Sequence, residues 1–334
     1  MDIAANNVIP VFIGGTGRSG TTILQKLLKS GSGFLSYPFE LRLNVDPGGL
    51  LDLKTALVDH WSPYAADIAL NRFSDLMSDM RRKSRRTFYE NRFLGRMGIS
   101  PSRYPSVGFS NLIGRPVFDE ICDEFLKSLY REKVPGHWGG SAPYQIKSCI
   151  YEADRMSEVK FGSAAQVFIK RLHDAFACQS GVSYQACIDD TPYSILHADQ
   201  LLRIYPNAKF IHIYRDPRDV VASYATKFWG GDDYVAIARR ICAVLNQWHL
   251  VRERISSSNY IEISMEALLQ EPMPILSNVA AFVGVETTFS ENSHDLSKGH
   301  TGRWKQDIPL DLQDEVNEIL GNSIEMMGYD TGSN

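Results

Sequence analysis

The chain has 334 residues, of which 44% are hydrophobic and 22% charged, with a formal net charge of −4. That length gives an ample buried core for one large globular domain or two small ones, and the slight acidity argues against a general nucleic-acid coat while leaving room for a local basic site. The five cysteines (Cys122, Cys149, Cys178, Cys187, Cys242) are odd in number and scattered without a C-x-x-C pair, which fits reduced thiols in a cytosolic protein better than a disulfide framework or a zinc site.

The first apolar run, Val8 to Ile13, reads as a buried strand. It is short and lacks a charged leader and a cleavage site, so neither a signal peptide nor, anywhere in the chain, a membrane span is expected. Thr21 to Lys29 has helical spacing, with Ile23, Leu24, Leu27 and Leu28 on one side. A second strand is expected over Phe34 to Tyr37. From Leu41 to about Tyr151 the character changes. Leu50, Leu53 and Leu57, then Leu70, Phe73, Met77 and Met80, then Phe118, Ile121, Cys122, Phe125, Leu126 and Leu129 repeat with helical period. This stretch reads as a helical insertion without strands, with loops around Gly95 to Pro116 and Pro135 to Pro143.

The alternation of strand and helix then returns. Strands are expected at Gln185–Asp189, Lys209–Tyr214 and Tyr260–Ile263. Helices are expected at Tyr193–Tyr205, Pro217–Phe228 and Asp233–Ile255, and again up to Gly284; Asp216 caps the second of these, with Pro217 at its first position. The pattern predicts an α/β fold: a P-loop-like three-layer α/β/α core with a mainly parallel sheet. The core would be residues 8–40 and about 152–334 of a single domain, capped over the acceptor site by an insertion at about 41–151. Ligands of such sheets bind at the carboxyl ends of the strands.

The stretch IPVFIGGTGRSGTTILQKLLKSG, residues 9–31, nearly spells a nucleotide-binding loop. Gly15 and Gly20 have the spacing of G-x-x-x-x-G-K-[ST], but Thr21 stands where Lys belongs. Strand, glycine turn and helix make a phosphate site: Gly15, Thr16, Gly17 and Gly20 let the backbone curl, and the helix adds its positive end. Ser19, Thr21 and Thr22 add hydroxyls, and Arg18 adds a fork suited to phosphate oxygens. An Mg-ATP-using small-molecule kinase is the alternative reading, but it needs a cation reaching the terminal phosphates, and Thr21 has none to offer.

The displaced cation carries a resemblance. T-G-R-S-G-T-T after a first strand resembles the 5′-phosphosulfate loop of sulfotransferases that use 3′-phosphoadenosine 5′-phosphosulfate (PAPS), with Arg as in the protein-tyrosine branch rather than Lys as in the cytosolic branch. FIHIYRDPRDVVASY, residues 210–224, resembles the family's 3′-phosphate motif. The resemblance implies that Arg215 and Ser223 bind that phosphate, with Arg218 and Asp219 as a structural pair or exposed charges. Lys298-Gly299-His300-Thr301-Gly302-Arg303-Trp304-Lys305 is similar to the family's late K-G-x-x-G-x-W-K loop. It implies a role for Lys298 and Gly299 at the nucleotide. Ser297 stands where relatives have Arg, and Arg303 is a candidate replacement. Tyr260 to Val285 also resembles the family, so the likeness covers residues 8–40 and about 185–306.

The family resemblance implies a sulfotransferase that takes PAPS as co-substrate, without a metal, and sulfates an acceptor hydroxyl. The acceptor class is a small molecule or glycan (carbohydrate, alcohol or tyrosine-like), with no nucleic-acid partner. The histidine base of cytosolic relatives, in a K-x-H-L-P-like strand, is not found here. Glu40 in SYPFELRLNVDPGG resembles the E-x-R segment of the tyrosine branch and is the first choice of base, with Arg42 as partner at the acceptor side. Its plain alternative is a salt bridge that orders the loop. Asp189 and Asp190 end a strand in a segment similar to the E-K-[ST]-P of heparan-type members. They could bind the acceptor, share base duty or cap the next helix. His173 is expected to be structural or exposed. The basic run Arg81, Arg82, Lys83, Arg85 and Arg86 is either a solvated face or a contact for an anionic acceptor. The lack of a membrane anchor suggests a bacterial-style cytoplasmic enzyme. A catalytically silent nucleotide- or glycan-binding module is the remaining possibility, opposed only by Glu40.

Overall fold

The computed structural model describes residues 8–83, 103–139, 149–289 and 301–330, with Phe93 and Met97 besides. Its strands are β1 (Ile9–Gly14), β2 (Gly33–Ser36), β3 (Glu132–Pro135), β4 (Cys149–Glu152), β5 (Tyr184–Asp189), β6 (Lys209–Tyr214) and β7 (Tyr260–Ser264). The longer helices are α1 (Thr21–Lys29), α2 (Pro63–Arg81), α3 (Arg115–Leu129), α4 (Glu158–Ser180), α5 (Pro217–Ala225), α6 (Tyr234–Arg252), α7 (Pro272–Val283) and α8 (Leu310–Met326). No helix among the described residues is long and apolar enough to cross a membrane.

The chain divides into two compact units. The first comprises residues 1–36, 183–202 and 207–334, and holds a five-stranded sheet in the order β2-β5-β1-β6-β7. Every pairing in it is parallel. Side chains alternate across such a strand. Val11, Ile13, Ile211 and Ile213 therefore face one way, where they pack with Leu24 and Leu28 of α1 and Leu276 and Val279 of α7. Phe12 and Phe210 stack at 5.2 Å between ring centres, and His212 lies 5.1 Å from the Trp248 ring of α6. A second cluster joins α5, α6 and α8 around Ile241, Trp304 and Leu320. Helices on both faces of a parallel sheet make the three-layer α/β/α core that the sequence pattern predicts.

The second unit, residues 37–182 and 203–206, is helical. α2 starts cleanly because Ser62 accepts a hydrogen bond from Ala65 N and Pro63 needs no donor of its own. Phe73, Phe125 and Phe168, from α2, α3 and α4, meet at 4.4–5.8 Å between ring centres. Arg81 pairs with Asp119 at 2.8 Å, so this member of the basic run ties α2 to α3. Arg85 and Arg86 lie outside the described residues.

Three sequence expectations need correction. The stretch expected to lack strands contains the antiparallel pair β3–β4, with Glu132 opposite Glu152. Each strand has four residues and Tyr151 alone is buried, so no period-2 pattern develops. The loop expected up to Pro116 contains a helical turn at Phe109–Ile113. The single helix expected over 193–205 is a 3-10 turn, Pro192–His197, followed by an α-helix, Ala198–Ile204.

Candidate active site

The phosphate loop leaves β1 at Gly14 and enters α1 at Gly20, which caps the helix with φ 109°. A side chain at Gly20 would be strained by that angle and would meet Met265 Sδ at 2.9 Å. A Cβ at Gly15 would run into Ser19 Oγ and the Ile213 carbonyl, so the loop folds tightly against the end of β6. Tyr224 of α5 fastens it from beside, its hydroxyl donating to Thr16 O at 2.9 Å. Burial and a hydrogen bond with Tyr193 push the Tyr224 phenol up, so it stays a donor. Thr16 Oγ1 donates to Gly17 O. Ser19 is 1% exposed, and its hydroxyl has no hydrogen-bond partner. A buried polar group without a partner is costly, and here it stands inside a glycine loop at a helix start, where an anion fits.

Arg18 has φ 57°, the left-handed region that L-residues avoid. Its exposed side chain crosses to α5, with Nε 3.2 Å from Ser223 Oγ. A cavity of about 260 Å³ lies here, and Arg18, Thr21, Thr22, Arg215 and Ser223 all line it. The two motifs that lie about two hundred residues apart in sequence thus share one pocket. Adjacent parallel strands β1 and β6 bring their carboxyl ends to the same edge, which makes this possible.

Arg218 and Asp219 are neither paired with each other nor exposed, contrary to the expectation. Arg218 forks onto Asp216 at 2.8 Å and lies 4.1 Å over the Trp304 ring. Asp219 is 1% exposed and holds three groups at once. It pairs with Arg215 Nη2 at 3.2 Å and accepts from Gly302 N at 2.7 Å and Trp304 N at 2.9 Å. One carboxylate therefore orients the strand-end arginine and fastens the late loop to α5. The four-residue step from Arg215 to Asp219 was the available signal. Arg303 lines the cavity and pairs with Asp307 at 2.8 Å. Lys298 and Gly299 lie outside the described residues.

Asp189 and Asp190 are both 4% exposed at the end of β5. Asp189 Oδ1 accepts from Thr191 N at 3.0 Å and Thr191 Oγ1 at 2.6 Å, which fixes the turn into Pro192. Pro192 O in turn accepts from Gly15 N at 2.8 Å, so this turn abuts the phosphate loop.

Glu40 and Arg42 belong to the helical unit. They form an ion pair, and Arg42 Nη1 also reaches Asp46 at 3.2 Å. Arg42 too has φ 57°. Burial works against its charge, but Glu40 and Asp46 outweigh that and raise its pKa. Tyr104 donates to Asp46 at 2.7 Å, with its ring 5.5 Å below the guanidinium; burial and that bond push its phenol up to about 12. His173 is buried beside the Tyr37 hydroxyl at 3.1 Å, and burial lowers it to about 4. It is a neutral core histidine, as expected. No group of three or more His, Cys, Asp or Glu suited to a metal occurs among the described residues.

The model of the Sulfotransferase family matches residues 124–290, half of the chain. No curated protein sequence matches it. Among solved structures, the sulfotransferase domain from the curacin biosynthetic pathway superposes with a TM-score of 0.51 at 13% identity, over 97% of this chain and 98% of that one. The sulfotransferase domain of the Synechococcus PCC 7002 olefin synthase gives 0.47 at 17% identity, over 99% and 98%. Identities this low speak to fold, and only the first is close enough to support it. With half its length matched by that family's model and its fold shared with such a domain, the chain belongs to the sulfotransferase family.

Proposed function

We propose that the chain transfers the sulfuryl group of PAPS to an acceptor hydroxyl and releases 3′-phosphoadenosine 5′-phosphate. The observation that supports this reading is the shared cavity, in which Arg18 of the phosphate loop touches Ser223 of the second motif. Two anion-binding ends in one pocket suit a nucleotide with groups at both the 5′ and 3′ positions of its ribose. ATP has no 3′-phosphate, so Mg-ATP kinase chemistry leaves the Arg215 end without a use. The residues fit the donor: the buried Ser19 hydroxyl lacks a partner, and Gly15, Gly17 and Gly20 stand where a Cβ would collide with Ser19, Tyr224 and Met265, so the loop backbone stays bare for an anion.

Bound PAPS supplies the sulfur, whose bond to the bridging oxygen breaks as the acceptor oxygen bonds to it. Loop amides, Thr21, Thr22 and the amino end of α1 hold the 5′ end. Arg18 offsets the negative charge that grows on the bridging oxygen, the kind of preorganised stabilisation that dominates group transfer. Arg215 and Ser223, with Lys298 and Gly299, hold the 3′-phosphate. Glu40 takes the acceptor proton, oriented by Arg42. The abutment of the Asp189–Pro192 turn on Gly15 favours Asp190 as the second choice of base. The acceptor is a carbohydrate, an alcohol or a tyrosine-like group. The five cysteines are all free thiols, which supports a cytoplasmic setting.

Calorimetric titration tests the donor. Wild type is expected to bind 3′-phosphoadenosine 5′-phosphate more tightly than Mg-ATP, and Arg215→Ala to lose about tenfold or more of that affinity. Equal or better binding of Mg-ATP overturns the reading. Once an acceptor is found, Glu40→Gln should lower turnover by about 100-fold or more, and Asp190→Asn should not. The reverse result makes Asp190 the base.

A further inference from the structure

The cavity is lined by four cationic side chains, Arg18, Arg215, Lys227 and Arg303, and by the carboxylates of Asp219 and Asp307. The charges are not evenly matched. Arg215 is balanced by Asp219 at 3.2 Å, and Arg303 by Asp307 at 2.8 Å. Arg18 contacts the neutral Ser223 hydroxyl and has no carboxylate partner among the described residues, but it stands in the loop that would serve the 5′ end. Lys227 makes no side-chain hydrogen bond or ion pair among the described residues. It follows Ser223 by one helical turn. Asp219, Ser223 and Lys227 are spaced by four, and all three line the cavity from the side of α5. Lys227 N bonds to Tyr224 O at 2.9 Å, which continues the turn past the end of the helix and fixes where the side chain leaves it.

Among the described residues, a phosphate dianion seated at the α5 end would meet the balanced Arg215–Asp219 pair and the hydroxyls of Ser223 and Thr226. That is poor compensation for losing its water, because a charged group taken out of water needs charge and hydrogen bonds in return. Lys298, assigned above to the same phosphate, lies outside the described residues; among the described residues that line the cavity, the remaining unbalanced cation on that side is Lys227. We propose that Lys227 is a further cation that neutralises the donor's 3′-phosphate, beside the residues named above, and so one by which the site selects 3′-phosphorylated over plain adenine nucleotides. The inference rests on the PAPS reading above. An ammonium on a flexible stem reaches a phosphate oxygen as a point charge, without the geometry an arginine fork demands.

The test uses two ligands that differ only in the 3′-phosphate: 3′-phosphoadenosine 5′-phosphate and adenosine 5′-monophosphate. Their Kd values are measured by calorimetry for wild type, Lys227→Met and Lys227→Arg at two salt concentrations. Lys227→Met is expected to weaken the bisphosphate by about 10- to 100-fold and the monophosphate by less than about twofold. Its bisphosphate affinity should also depend less on salt than that of wild type. Lys227→Arg should recover most of the loss. Equal weakening of both ligands, or of neither, overturns the assignment while leaving the donor reading intact. A wild type that does not distinguish the two ligands overturns the donor reading and this inference with it. Lys227 is part-exposed and its side chain has no partner among the described residues, so folding should be unaffected; an unchanged melting curve for Lys227→Met checks this, and Lys227→Arg still reads the charge if it is not.

Discussion

Arg18 and Arg42 are the non-glycine residues with positive φ among those described, each at 57°. Holding an L-residue there costs about 1–2 kcal/mol, and such strain persists only where the surroundings enforce it. Replacing Arg18 with Gly should therefore stabilise the fold by about 1 kcal/mol while lowering turnover by about 100-fold. Arg18→Ala keeps the strain and should lose turnover alone. Thermal melts and transfer rates of the two variants separate the effects; a Gly variant that melts no higher than the Ala variant would sink the strain argument. The family resemblance singled out Arg18, Arg215 and Ser223, and all three line one cavity. Sequence could not show that Arg18 is left-handed, that Asp219 holds Arg215 together with the late loop, or that Lys227 lines the same cavity. Charges on a single helical turn look alike in sequence whether they meet solvent, a carboxylate or a pocket.

Strands β6 and β7 are joined by more than their backbone ladder. His212 stands opposite Glu262 in the register, and His212 Nδ1 lies 2.9 Å from Glu262 Oε1. The Trp248 indole donates to the same oxygen at 2.9 Å, and Arg252 donates to Oε2 at 2.6 Å. Burial opposes the Glu262 charge, but His212, Trp248 and Arg252 outweigh it and hold the carboxyl at about 2, from 4.5. A carboxyl depressed in the fold contributes stability that is complete above its unfolded value and is lost as pH falls toward its folded value. Wild type should thus lose stability more steeply than Glu262→Gln between about pH 4.5 and 2, by on the order of 2 kcal/mol after allowance for partial exposure. Urea titrations across that range check it, and parallel slopes for the two proteins would refute it. Elements were legible in proportion to their pattern: α1 and β6 have the predicted bounds, because glycine, proline and a clear period mark both ends. The β3–β4 pair was not, since its strands are short, mostly exposed and separated by a long connection.

Across the whole chain, the sheet depends on partners that are far apart in sequence. Ile9 and Phe34 both pair with Ala186, whereas the aromatic contacts of α2, α3 and α4 are formed within the stretch between them. Nearer contacts close sooner because their loops cost less entropy. In pulsed hydrogen exchange during refolding, amides of α2 to α4 should gain protection before those of β1, β2 and β5. Simultaneous or reversed protection would show that the sheet nucleates first. The fold class was legible at this scale because strand and helix alternate on both sides of the helical stretch. The membership of 203–206 in the helical unit was not, since four residues carry no period of their own. That small return has an evolutionary consequence. The chain passes between the units at residues 36–37, 182–183, 202–203 and 206–207, so the helical unit cannot be exchanged as a cassette by one excision. Recombination that swapped residues 37–182 alone would leave the recipient's residues 203–206 facing a stranger's helices. The helical unit is thus expected to diverge in this lineage by substitution within it rather than by its wholesale replacement.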